Sequence, residues 1–211
     1  MTLPNLFVLG DSISIEYGPF LEQLTTGKWQ YARKTGMSDT LLTNDIPQGG
    51  NGGDSRMCLD YLATSNTRQS IAADVLLLNC GLHDIKLDAK RYEDGTKVPL
   101  EEYKVNLAKI IKVVKQMGPK LVWVRTTPVN EAQHNTPDSK LHRLQRDVER
   151  YNEAADGVMR AHGVPAIDLF GFTMSLGPTD KTLRDGRHFH QPVSQLQAAY
   201  IAGWLEGMRC R

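Results

Sequence analysis

Two short segments of this chain, Leu6-Phe7-Val8-Leu9 and Val75-Leu76-Leu77-Leu78, are apolar at every position. A strand with one face in water alternates apolar and polar residues, so an unbroken run of this length marks a strand covered on both faces. Leu121-Val122-Trp123-Val124 is another such run. Between the second and third lies a segment of different period. From Glu101 to Met117 the apolar residues Tyr103, Leu107, Ile110, Ile111, Val114 and Met117 recur at helical spacing, and Gly118-Pro119 closes the segment. Buried strands alternating with amphipathic helices predict an α/β fold, a mostly parallel sheet with helices on both faces.

The remaining elements fit that alternation. Trp29–Ala32 reads as a second strand and Pro165–Leu169 as a fifth. A helix is expected after Gly18, with Pro19 at a tolerated first-turn position, and another over Arg56–Leu62. A further helix is expected from about Ser139, with Leu141, Leu144, Val148, Tyr151, Ala155 and Val158 on one stripe and Gly163 just past its end. Pro192 to Met208 forms the closing helix, with Leu196, Ala199, Tyr200, Gly203 and Trp204 expected inward. Lys86 to Pro99 reads as a solvated loop or lid, and Thr127 to Asp138 as a surface loop or a wall of the substrate cleft. No repeat or linker interrupts the 211 residues, so one domain spanning 1–211 is expected.

Composition removes several function classes. A formal net charge of +1 with no basic run offers no handle for nucleic acid. No stretch approaches the ~18 apolar residues of a membrane span. Met1-Thr2-Leu3-Pro4-Asn5 carries neither the positive region nor the long apolar segment of a signal peptide, so the chain as written is expected in the cytoplasm; a removed leader would make it periplasmic or secreted. Cys58, Cys80 and Cys210 have the spacing of neither a disulfide framework nor a zinc site, and Cys80 reads as a small core residue. Gly49-Gly50-Asn51-Gly52-Gly53 is glycine-rich but follows Pro47 and lacks a phosphate-loop lysine. No metal or organic cofactor is expected.

The first apolar run ends abruptly in Gly10-Asp11-Ser12, and Asp185-Gly186-Arg187-His188 precedes the closing helix. Serine is a poor nucleophile until an imidazole takes its proton, and that imidazole needs a carboxylate on its other nitrogen to fix its tautomer. Alone, each piece is ordinary: Ser12 could cap a helix, and Asp185-Gly186 could be a turn. Two further blocks stand between them in order, Asn51-Gly52-Gly53-Asp54-Ser55 and Asn79-Cys80-Gly81-Leu82-His83-Asp84. Ser12, Gly53 and Gly81-Leu82-His83 each follow a predicted strand, and in open parallel sheets ligands bind outside the carboxyl ends of the strands.

With these four blocks the chain resembles the SGNH (GDSL-type) hydrolase family over nearly its whole length. The resemblance implies a three-layer α/β/α, flavodoxin-like fold around a five-stranded sheet. It implies Ser12 as nucleophile, His188 as base and Asp185 as its orienter, with an oxyanion hole formed by the N–H groups of Ser12 and Gly53 and by the side chain at position 83. At that last position the family has asparagine and this chain has His83. An imidazole N–H can donate to an oxyanion, but histidine is bulkier and can carry charge. Two alternatives stand beside it: Asn79 or Asn51 supplies the donor while His83 turns to backbone, or the site has been diverted to other chemistry.

The expected activity is therefore a serine esterase acting through an acyl-enzyme. A non-hydrolytic relative, carbohydrate-binding or lyase-type, is the alternative. Family members often deacetylate sugars, which implies a small-molecule or oligosaccharide ester, in particular an O-acetylated saccharide, as substrate. Arg56, Arg125, Arg187 and His190 fall near strand ends on the same edge and, with Asp11, are candidate substrate-binding residues. A cationic rim of this kind suits an ester bearing uronate or sulfate groups, unless these side chains instead pair with nearby aspartates.

Overall fold

A computed structural model describes residues 2–35, 50–64 and 71–210; Met1, Pro47 and Gly49 lie outside that range. Five parallel strands form the central sheet: β1 (Asn5–Leu9), β2 (Gln30–Arg33), β3 (Val75–Leu78), β5 (Lys120–Val124) and β7 (Ala166–Ile167), in the order β2-β1-β3-β5-β7. Every residue of β3 is buried, as its unbroken apolar run requires. In register, Leu9 lies beside Leu78 and Leu78 beside Trp123, so the carboxyl ends of β1, β3 and β5 align. β4 (Leu87–Asp88) and β6 (Leu141–His142) make a separate two-residue antiparallel ribbon.

Helices cover the sheet. α1 (Ser12–Thr25) packs against α8 (Gln191–Arg209), and α2 (Ser55–Ala63) against α3 (Leu100–Met117), which also meets α5 (Gln145–Ala161). Short helices α4 (Glu131–His134), α6 (Leu169–Ser175) and α7 (Thr179–Thr182) fill the connections. The three-layer α/β/α architecture is as expected. Among the described residues no helix is long and apolar enough to cross a membrane.

Four expectations are corrected. The first helix begins at Ser12, not after Gly18, because Asp11 caps it with a side-chain oxygen on the Ile13 N–H; Pro19 then lies inside the helix. The helix expected from Ser139 starts at Gln145, because Leu141 and His142 are drawn into the ribbon with β4. The last strand is two residues long: Asp168 accepts from the Gly171 N–H and starts α6. In α8 the inward face is Ser194, Gln197, Ala198, Ile201 and Leu205, while Leu196 is 48 % exposed. The buried Gln197 donates from its amide nitrogen to the Thr173 hydroxyl at 3.1 Å, while its amide oxygen has no hydrogen-bond partner.

The stretch from Lys86 to Pro99 is partly structural: Lys86, Leu87 and Val98 are buried, while residues 90–95, Lys97 and Pro99 are exposed. Cys58 and Cys80 are free and buried, while Cys210 is free and exposed.

Candidate active site

Ser12 is the first residue of α1, at the carboxyl end of β1. A helix leaves its first N–H groups without partners inside the helix, and its dipole places partial positive charge there. Asp11 takes up one of these N–H groups. Its carboxyl is buried and pushed above the usual range, chiefly by desolvation, with the hydrogen bond from Ile13 opposing. Asp11 was expected to touch substrate. Instead its carboxylate points into the protein and shapes the turn that presents Ser12.

His188 meets Ser12 across the fold. Its Nε2 lies 2.9 Å from Ser12 Oγ, and its Nδ1 lies 2.7 Å from Asp185 Oδ2. The other oxygen of Asp185 accepts the backbone N–H groups of His188 at 2.8 Å and Arg187 at 3.1 Å. Burial works to raise the Asp185 pKa, but the His188 ring and these N–H groups outweigh it and hold the carboxyl well below the usual range. Asp185 is thus ionised across the working pH range, aimed at the imidazole and locked in place by its own turn.

That turn is itself held. Gly186, at φ +81, accepts the Asn130 N–H on its carbonyl oxygen at 2.8 Å; a Cβ there would stand 2.5 Å from the His134 nitrogen. Asn130 also caps α4 and donates to Thr179. The segment from Thr127 to Asp138 is therefore a support of the His188 loop.

The second block is docked on the first. Gly52 N–H donates to the Gly10 carbonyl at 2.7 Å, which sets Gly53 close to the Ser12 turn. Gly53, however, already spends its N–H on Asn51 Oδ1, two residues back, at 2.9 Å. Asn79 is engaged as well, donating to the Val124 carbonyl at 2.8 Å and so tying the ends of β3 and β5 together.

His83 is buried, and its Nδ1 has no hydrogen-bond partner. Burial first, then the nearby Lys86, Arg143, Lys97 and Arg187 charges, hold the ring well below the ordinary histidine value, so it is neutral near pH 7. Arg143, itself buried, donates from Nε to the Leu82 carbonyl at 2.7 Å and shares a 2.6 Å contact with His134 Nε2. It therefore joins the His83 turn to the helix under Gly186. Asp84, next in sequence, accepts the Ser55 N–H at 2.9 Å, and burial pushes its carboxyl up to about 7.

The expected cationic rim is not assembled as drawn. Arg56 pairs bidentately with Glu102, and Arg125 pairs with Asp156 and Asp168 while lying against the Phe170 ring. Both guanidinium groups are committed to carboxylates from other helices and loops. Arg187 and His190 do flank His188; His190 is exposed at the N-cap of α8. The sequence reading missed Glu16, Arg184 and Arg143. Glu16 sits one helical turn after Ser12 and becomes visible once α1 is started at Asp11. A buried Arg143 carries no pattern signal at all.

A parallel α/β/α sheet with a serine, a histidine and an aspartate in contact at its carboxyl edge has the architecture of a hydrolase. The chain matches the GDSL-like lipase/acylhydrolase family over residues 8–192, and it belongs to that family. It is an enzyme, a carboxylic ester hydrolase of this type. No curated protein sequence matches it. Among solved structures it is similar to a lipase/acylhydrolase from Enterococcus faecalis (18 % identity, 98 % of this chain and 97 % of that one, TM-score 0.72). It is also similar to an acetyl xylan esterase (16 % identity, 95 % and 98 % coverage, TM-score 0.65). A third is a catalytic mutant of Axe2, an acetylxylan esterase from Geobacillus stearothermophilus (12 % identity, 94 % and 92 % coverage, TM-score 0.65). At these identities the likeness is one of fold.

Proposed function

We propose that this enzyme hydrolyses short-chain acyl esters by a serine mechanism, with an O-acetylated saccharide as its substrate. The observation that carries the proposal is the continuous relay from Ser12 Oγ to His188 Nε2 and from His188 Nδ1 to Asp185. His188 takes the Ser12 proton as Oγ attacks the ester carbonyl, and the ionised Asp185 stabilises the imidazolium. His188 then gives that proton to the leaving alcohol. A water molecule, deprotonated by the same imidazole, attacks the acyl-enzyme and releases the acid, returning the proton to Ser12.

The tetrahedral oxyanion is received by the Ser12 N–H at the start of α1, by the Gly53 N–H once Asn51 gives way, and by the His83 ring. The unpartnered Nδ1 and neutral state of His83 support that role, because the ring is not spent on a backbone contact. The acetyl preference is supported by the two acetylxylan esterases among the similar folds. Arg187 and His190 flank His188 in sequence, and they are the basic side chains that an acidic sugar would meet beside it.

The test is turnover of p-nitrophenyl acetate, butyrate and octanoate and release of acetate from acetylated oligosaccharides. Activity should fall steeply from acetyl to octanoyl. Ser12→Ala and His188→Ala should each lower kcat by several orders of magnitude, with the double variant little worse than either, because triad members act as one unit. A Ser12→Ala variant keeping more than about a tenth of the rate would overturn the serine mechanism, and a preference for octanoate would overturn the small acyl pocket.

A further inference from the structure

Ser12 and Glu16 stand one helical turn apart on α1, and residues at this spacing share a helix face. Ser12 meets the His188 ring, and Glu16 meets the chain on either side of it. One Glu16 oxygen pairs with the Arg184 guanidinium, and the other accepts the Phe189 N–H at 3.3 Å. Arg184 in turn donates from its side chain to the Phe189 carbonyl at 2.8 Å, and from its backbone to the His188 carbonyl at 2.8 Å. An antiparallel bridge between Leu183 and Phe189 completes a closed hairpin, with the Phe189 ring fully buried at its base. The Glu16 carboxylate is thus the point at which the hairpin carrying the base is fastened to the helix carrying the nucleophile.

We infer that Glu16 is a positioning residue of the triad: it fixes the 184–189 hairpin so that His188 Nε2 reaches Ser12, and its negative charge favours the imidazolium that forms on attack. The inference rests on the serine-esterase reading for its catalytic meaning, although its geometry does not.

The charge argument depends on what surrounds His188. Asp185 faces it from its own turn, with Arg184, Arg187 and His190 flanking in sequence. Asp11 and Glu16 face it from the start of α1, and both interact electrostatically with its ring. The segment packed against Gly186 brings Glu131, occupied by the Gln145 N–H, and His134, in contact with Arg143. Asp185 and Glu16 are therefore the paired anions near the imidazole, one on the ring nitrogen and one behind the loop. Glu16 is held partly out of water, and burial raises its carboxyl pKa against the opposing pull of His188 and Arg184. Its removal leaves the Arg184 cation beside His188 uncompensated, and both changes disfavour the protonated ring.

The experiment is NMR titration of the histidine ring resonances in the wild type, Glu16→Gln and Arg184→Lys, with the kcat/KM pH profile on p-nitrophenyl acetate recorded for each. Glu16→Gln keeps the length and one acceptor oxygen. It should move the His188 midpoint and the acid limb of the profile together, by about half a pH unit toward acid, with kcat down about tenfold and KM changed much less. Arg184→Lys keeps the cation and should stay near the wild-type midpoint. An unmoved midpoint in Glu16→Gln, whatever its activity, overturns the inference, as does an equal shift in Arg184→Lys. A shifted midpoint in Glu16→Gln together with a wild type that hydrolyses no ester would sink the proposed activity and leave the positioning role standing.

Discussion

The N–H of Gly53 is held at 2.9 Å by the side-chain oxygen of Asn51, two residues earlier in the same turn. In the proposed mechanism this N–H binds the oxyanion, so it must exchange a neutral acceptor for a charged one as the reaction proceeds. The exchange is favourable, because hydrogen bonds to an anion are roughly twice as strong, but it competes with the turn. Asn51→Ala should therefore move activity and stability in opposite directions. The kcat should rise a few-fold as the N–H is freed, while the loss of the turn's hydrogen bond should lower unfolding free energy by about 1 kcal/mol. Esterase kinetics and denaturant unfolding on the same preparation check both. A tenfold fall in kcat would mean that Asn51 itself holds or contacts the oxyanion.

His83 is buried, with a ring that is neutral near pH 7 and one nitrogen unpartnered, and the proposed mechanism uses it as an oxyanion donor. His83→Ala should lower kcat by about 10²–10³-fold, the usual effect of removing one oxyanion donor, with a smaller change in KM. His83→Asn restores a donor and should recover much of that loss. Equal losses in the two variants would assign the ring to packing or to base chemistry.

How far this arrangement could be read in the sequence differs from element to element. β3 was predicted to the residue, because a strand buried on both faces announces itself as an unbroken apolar run. The placing of the first three site blocks was equally plain, since each follows a predicted strand and the parallel sheet brings strand ends to one edge. Three kinds of information were hidden. Capping moved boundaries: Asp11 and Asp168 start helices where the apolar pattern alone placed a loop or a strand. Polar burial set the inward face of α8 two positions from the expected one, because Ser194 and Gln197 face inward and no hydrophobicity pattern anticipates that. Charge pairing was the least legible. Arg56 finds Glu102 at a separation of 46 residues and Arg125 finds Asp168 at 43, so the rim drawn from sequence proximity dissolved into structural ion pairs.

Gly186 joins the proposed triad to its support. Its φ of +81 and the 2.5 Å approach of the His134 nitrogen to any Cβ mean that Gly186→Ala strains the turn and pushes it off α4. The substitution should destabilise by more than about 1 kcal/mol and, because Asp185 and His188 flank that turn, should also lower kcat in the fraction that folds. The kcat of the soluble variant, normalised to active sites by phosphonate labelling of Ser12, separates the two effects. A normal kcat with lowered stability would show that His188 finds its position without Asn130 and His134.

Asp84 makes stability depend on pH in a direction opposite to that of a salt-bridged carboxylate. Its carboxyl is buried against the Ser55 N–H and titrates at about 7 in the folded chain, against 3.8 in the reference state. The folded form therefore holds its proton more tightly than the unfolded form. The stabilisation is complete below about pH 4 and is lost as pH rises through 7. At about 1.4 kcal/mol per pH unit the full range is on the order of 4 kcal/mol. Asp11 and Glu16, also raised by burial, add to the same slope. The contribution of Asp84 is isolated by the difference between wild type and Asp84→Asn, measured by urea unfolding from pH 4 to pH 8. Asparagine keeps an acceptor for Ser55 and does not titrate, so the variant should lose ground to the wild type at pH 4 and gain on it steadily toward pH 8. Parallel curves would mean that Asp84 titrates alike folded and unfolded, and that the Ser55 N–H and the nearby Lys97 fully offset its burial.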